Sequence, residues 1–148
     1  MEQGRFNDQN KRFIEFQTAV LVVCPSCRKQ ALARVDYLQQ IARLLCSSCG
    51  YSKKKTTEIR MLGVKGNIQV AAHVYFSAVL WLEKPFKDDV VWAYNYAHLD
   101  YLEDYIAATL REHKDRTHFT LLEKLPKFYH EAKNRNALLK LINKMRNR

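Results

Sequence analysis

The stretch Val23-Cys24-Pro25-Ser26-Cys27-Arg28, echoed by Leu45-Cys46-Ser47-Ser48-Cys49-Gly50-Tyr51, decides how this chain is read. These are the only four cysteines in 148 residues, and eighteen residues separate the two pairs. Two Cys-x-x-Cys pairs at that distance fall within the window of a four-cysteine zinc site. Zinc in structural sites takes four tetrahedral ligands, so Cys24, Cys27, Cys46 and Cys49 fill its shell and leave no position for water or substrate. One structural Zn2+ is the expected cofactor, holding a fold together rather than performing a reaction. A redox reading needs a Cys-x-x-Cys at a helix N-terminus after a strand, and neither pair is followed by a helical pattern. A disulfide within each pair is disfavoured without a secretion signal.

Outward from the cysteines the pattern is that of strands. Thr18 to Val23 is β-branched and apolar. Gln30 to Tyr37 alternates, with Ala31, Ala33 and Val35 on one face and Leu32, Arg34 and Asp36 on the other. Ile41 to Leu45 leads into the second pair, which closes on Gly50, a residue free to take positive φ where the backbone wraps a metal. Tyr51 to Ile59 leaves that pair with Lys53, Lys54 and Lys55 in a row, and consecutive residues of a strand point to both faces. Gly63 and Gly66 bracket a turn. The thirteen-residue, mostly apolar run Val70 to Leu82 predicts a buried strand or strand pair, and Pro85 with Asp88-Asp89 a hairpin turn before the strand Val90 to Ala93.

The remainder predicts helices. Asn95 is a good N-cap, and Leu99, Leu102, Ile106 and Leu110 form one apolar stripe. Asp100, Glu103 and Asp104 complement the N-terminal end of the helix dipole and Arg111 the other end. Short helices follow from His118 to Leu125 and from Pro126 to about Ala132. Asn134 is expected to cap a last one, with Leu138, Leu141 and Ile142 inward. Strands preceding helices without alternation make the class α+β: an N-terminal β zinc ribbon and β-hairpin, then a helical bundle of three or four helices. The expected divisions are a mobile N-terminal segment 1–17, a ribbon 18–62, a β-hairpin region 63–94 and a helical region 95–148.

Lys and Arg outnumber Asp and Glu by 25 to 15, a net charge of +10. The excess is uneven. Residues 1–60 carry eleven cations against five carboxylates (net +6), 61–110 three against six (net −3), and 111–148 eleven against four (net +7). Such a balance attracts polyanions. The polar opening from Met1 to Glu15 has no run of signal-peptide length, and no stretch nears the roughly 20 apolar residues that span a bilayer. A cytoplasmic protein without a membrane partner is expected, since zinc thiolates need a reducing compartment.

The quoted cysteine motifs resemble the knuckles of transcription-factor-type zinc ribbons over about Thr18 to Arg60, a third of the chain. Further on, Leu80-Trp81-Leu82-Glu83-Lys84-Pro85, Val91-Trp92-Ala93-Tyr94-Asn95, His98-Leu99 and Ala132-Lys133-Asn134-Arg135 resemble a family of small uncharacterised bacterial proteins carrying such a ribbon. The resemblance implies metal binding and a place in nucleic-acid machinery or protein docking; it transfers no established activity. Arg28 departs from the glycine common after the first knuckle, which is expected to loosen that knuckle without removing a ligand.

For function, Lys53, Lys54, Lys55 and Arg60, joined by Arg28, Lys29, Arg34 and Arg43, are candidates for phosphate contacts, with Tyr51 placed to stack on a base. A solvated strand face would show the same residues. Trp81, Trp92, Tyr94 and Tyr96 read as core. The five histidines lack zinc-hydrolase spacing, and His98 beside Asn95 reads as helping to cap the helix. No paired-carboxylate site, glycine phosphate loop or nucleophile elbow is present. The expectation is a non-enzymatic nucleic-acid-binding protein with no small-molecule substrate. The alternative is a protein-interaction adaptor or immunity/antitoxin-like inhibitor acting through the acidic, tyrosine-bearing helix from Asn95 to Leu110.

Overall fold

Alternation in the sequence becomes a sheet in the structure, a computed structural model that describes residues 5–8, 16–108, 110–113 and 125–148. In chain order the strands are β1 (Arg5–Asp8), β2 (Ala19–Val23), β3 (Gln30–Asp36), β4 (Ile41–Leu45), β5 (Ser52–Thr56), β6 (Glu58–Met61), β7 (Val64–Asn67), β8 (Leu82–Phe86) and β9 (Asp89–Ala93). Helix α1 (Tyr96–Ala107), strand β10 (Leu110–His113) and helix α2 (Arg135–Arg146) follow, with 3-10 turns at Val74–Phe76, Lys127–His130 and Ala132–Asn134. The class is α+β. Two units divide the chain, 16–82 and the remainder.

In the first unit, β2-β3-β4-β5 form an antiparallel sheet in sequence order. Register pairs Val20 with Ala33, Ala33 with Leu44 and Val35 with Ala42, so the small apolar residues share one buried face. The alternation expected for Gln30 to Tyr37 is realised. The apolar run from Val70 to Leu82 is not the strand its composition predicts. Ala71 and Ala72 are buried, the chain then turns through Val74–Phe76 and Ser77, whose φ is 50°, and only Leu80 bridges Val22. Hydrogen bonds from Val23 N to Val79 O (2.8 Å) and Trp81 N to Leu21 O (3.0 Å) close the free edge of β2. A short apolar run marks burial and leaves the backbone open. Tyr37 anchors the same segment, its hydroxyl accepting from Gln17 Nε2 (2.8 Å) and donating to Val70 O (2.6 Å).

The second unit carries the larger side chains. The hairpin β8–β9 turns at Lys87 (φ 54°), with Pro85 inside β8 rather than in the turn. Asn95 caps α1 as expected, its side chain accepting from His98 N at 2.9 Å. His98 is itself buried, and its Nδ1 accepts from Tyr94 N at 3.0 Å. Leu99, Leu102 and Ile106 of α1, with Leu138, Ile142 and Met145 of α2, fill the interior. Trp92 and Tyr94 are half-buried at the rim, edge-on to one another at 4.9 Å, and Trp81 and Tyr96 are likewise half-buried rather than core.

Four further expectations are corrected. Helix α1 stops at Ala107, and Leu110 belongs to β10, which pairs in parallel with β1. The first turn of α1 holds no carboxylate: Asp100 and Glu103 instead receive Arg146 of α2, at 2.6 Å and 2.9 Å. Asn134 does not cap α2 through its side chain; Nδ2 donates to Phe128 O (3.1 Å) and Oδ1 accepts from Lys87 Nζ (2.8 Å). Among the described residues two α-helices and short 3-10 turns stand where three or four helices were expected; the helix expected from His118 lies almost wholly outside them.

Candidate metal centre

Each cysteine pair sits where one strand hands over to the next, Cys24 and Cys27 between β2 and β3, Cys46 and Cys49 between β4 and β5. Both turns have the same hydrogen bonds. Cys24 N donates to Lys29 O (2.7 Å) and Arg28 N to Cys24 O (3.0 Å); Cys46 N donates to Tyr51 O (2.9 Å) and Gly50 N to Cys46 O (2.9 Å). The residue after each pair is left-handed, Arg28 at φ 67° and Gly50 at φ 81°. The first turn is thus closed without glycine, the arginine taking the conformation itself.

The sheet register brings the two turns together. Sγ of Cys24 lies 3.7 Å from that of Cys49, and Sγ of Cys27 lies 3.6 Å from that of Cys46. All four sulfurs fall within 4.8 Å of one another. These distances far exceed a disulfide of about 2.05 Å, and all four thiols are free. Cys24 and Cys46 are buried, Cys27 half-buried and Cys49 exposed. The cluster can hold a metal ion.

Its electrostatics favour a cation. The N–H groups of Cys49 and Ser48 point at the Cys46 sulfur and hold its thiol down to about 6 against burial. At Cys24 burial pushes upward, but the N–H groups of Cys27 (3.5 Å) and Ser26 (3.3 Å) outweigh it and the thiol falls below its ordinary value. At Cys27 the N–H of Lys29 lowers and burial and the neighbouring sulfurs raise, so the thiol is pushed up to about 11. Backbone donors thus favour the thiolate form at two corners while crowding favours the protonated form at a third. A bound cation removes that conflict, since metal ligation releases the thiol protons.

The candidate polyanion contacts are dispersed. Lys53, Lys54 and Lys55 are all exposed on β5, an edge strand of the sheet. Tyr51 is half-buried. Arg60 lies on a separate hairpin, β6–β7, opposite Lys65. Register does assemble one group. Arg34 pairs with Arg43 and Arg43 with Lys54, so three cations line up across three neighbouring strands on the face opposite the small apolar core. Leu32 and Leu45 form the adjoining row with Leu21 and Ser52. Arg34 and Arg43 are visible in the sequence as basic residues, but their alignment with Lys54 is a product of pairing register.

No family model, no curated protein and no solved structure matches this chain. The site is read from its own geometry.

Proposed function

We propose that the four cysteines clasp one structural zinc ion in a zinc-ribbon arrangement, and that the sheet so held is a non-enzymatic nucleic-acid-binding surface. Four sulfurs around an ion at the usual Zn–S length of about 2.3 Å form a tetrahedron with edges of about 3.8 Å. The 3.7 Å and 3.6 Å separations match that edge. Four thiolates would complete the shell, leaving the ion a folding role.

The observation that carries the binding reading is the cross-strand row Arg34–Arg43–Lys54. Like charges directly opposite one another destabilise a sheet, and none of the three makes an ion pair among the described residues. Neighbouring strands are about 4.8 Å apart, so the row spans about 10 Å. Phosphates laid along it would relieve the repulsion and release counterions. The unit 16–82 holds nine Lys and Arg against only Asp36 and Glu58, a net charge of +7 that favours the same partner. Lysine on an edge strand also guards against edge-to-edge pairing, so the row across the face, rather than β5 alone, supports the reading. The protein-partner alternative draws little from α1, whose Asp100 and Glu103 are occupied by Arg146 and whose Tyr101 and Tyr105 are buried.

Fluorescence anisotropy with labelled DNA and RNA, using nuclease-treated, metal-loaded protein, tests this. Affinity should fall steeply with salt. The triple variant Arg34→Gln, Arg43→Gln, Lys54→Gln should flatten the log–log slope by about 2 to 3 units, one per lost phosphate contact. No binding at low salt, or a slope untouched by the triple variant, sinks the proposal.

A further inference from the structure

We propose that the β6–β7 hairpin is a finger whose apex, Leu62, wedges into a base step of double-stranded nucleic acid while Arg60 and Lys65 hold the flanking phosphates. This rests on the nucleic-acid reading above and adds a second, differently built contact.

The finger is rooted firmly, and its two strands are exposed. At its base Thr57 is only 2% exposed. Its Oγ1 donates to Asn67 Oδ1 (3.0 Å), its N–H donates to Gln40 O (3.1 Å), and its carbonyl accepts from Ile68 N (3.2 Å). Beyond that root every residue of β6 and β7 is exposed. A two-stranded ribbon with no packed face is marginal in water, so this one is shaped for something outside the fold.

Register makes the ribbon two-faced. Met61 pairs with Val64 and Ile59 with Gly66 on one face; Arg60 pairs with Lys65 on the other. Met61 and Val64 are 71% and 69% exposed, and Leu62 at the apex is 99% exposed. The turn is Leu62-Gly63 with φ 53° and 80°, the left-handed pair of a type I′ turn. Asparagine is the favoured residue at the first position of such a turn, and a bulky side chain there is an outlier. Leucine at that point worsens the turn and, wholly exposed, contributes no packing in return. Its place is explained by a partner that receives it.

The chemistry around the apex selects the partner. Two cations form the cross-strand pair just behind Met61 and Val64, unpaired with any carboxylate among the described residues, and they complement a polyanion. Single strands are held by stacking on aromatic side chains, and Glu58 to Asn67 contains no aromatic residue. An aliphatic tip flanked by Arg or Lys is the equipment of proteins that part a base step from the minor groove.

The test uses the full-length, metal-loaded protein and duplexes carrying 2-aminopurine at a flexible TA step, read by fluorescence and by end-to-end energy transfer. Binding should raise 2-aminopurine emission and shorten the end-to-end distance. Leu62→Asn suits the turn better and so keeps the fold; it should abolish both signals while holding affinity within about tenfold. Arg60→Gln with Lys65→Gln should weaken binding and reduce the salt slope by about 2. Binding by the parent protein without unstacking, or unstacking retained in Leu62→Asn, overturns the wedge and leaves the nucleic-acid reading standing. Binding to single strands without duplex binding overturns the wedge alone, and absence of binding to any nucleic acid fells both. Leu62-dependent binding to phosphatidylcholine–phosphatidylserine vesicles in place of duplex assigns the tip to a membrane surface and overturns the proposal.

Discussion

The two units solve the same problem with different materials. The buried side chains of 16–82 are mainly Ala and Val, joined by Leu21, Leu44, Leu82, Thr57 and two of the cysteines, whereas the second unit buries Leu99, Leu102, Ile106, Phe128, Tyr129, Leu138, Ile142 and Met145. Burial is worth about 25 cal/mol per Å2 of apolar surface, so a core of alanines and valines yields far less than one of leucines and aromatics. Small units that cannot build a sufficient core are commonly stapled by a metal or disulfides. The four sulfurs stand where that staple is needed, at the two turns that join the sheet's outer strand pairs.

The strongest way to break this contrast is to remove the proposed zinc ion. Structural zinc contributes an apparent ~10–16 kcal/mol in small zinc modules at neutral pH, more than a unit of this size has to spare. Chelation, or Cys46→Ser, should therefore unfold 16–82 while α1 and α2 persist. Hydrogen exchange read by segment should show β2 to β5 losing protection and the helices keeping theirs. Equal loss in both units would mean that they fold as one body and that the contrast is false. Retained protection in β2 to β5 without metal would mean that the small core suffices.

An intermediate effect belongs to the second unit. His98 is buried and its Nδ1 accepts a backbone N–H, so the ring is held neutral; burial pushes it down to about 4 from an ordinary value of 6.5. Between those values the unfolded chain binds a proton that the folded one refuses. The His98 contribution is complete above pH 6.5 and is lost as pH falls toward 4, by about 3 kcal/mol in all. Urea unfolding followed through α1 and α2 should show that slope in the parent and lack it in His98→Gln. An identical acid slope in the variant would assign the loss to other groups.

The contrast also explains what could be read from the chain beforehand. The cysteine turns were legible because ligand chemistry fixes spacing, and the order of β2 to β5 followed from alternation around them. The Asn95 cap was legible because it is local. What escaped was everything set by distant partners. Leu110 continues a helical stripe on paper, yet it pairs with Arg5 across more than a hundred residues. The apolar run 70–82 announced burial without announcing that Ser77 would turn left-handed. Arg34, Arg43 and Lys54 are scattered cations until register sets them in one row. Leu62 looks like an ordinary turn residue until its φ and exposure are known.

The smallest predicted effect compares the two cysteine turns with each other. They share every backbone hydrogen bond described above, but one closes on Gly50 and the other on exposed Arg28, both left-handed. An L-residue in that conformation costs roughly 1–2 kcal/mol, whereas glycine loses an extra ~0.5–1 kcal/mol of backbone entropy on folding. Arg28→Gly should accordingly stabilise the unit 16–82 by about 0.5–1 kcal/mol, and Gly50→Ala should destabilise it by about 1 kcal/mol. Metal-competition titrations of the two variants against the parent would register both shifts. If Arg28→Gly instead weakened metal retention, the guanidinium rather than the backbone would be what steadies the first turn, and the equivalence of the two turns would end at their hydrogen bonds.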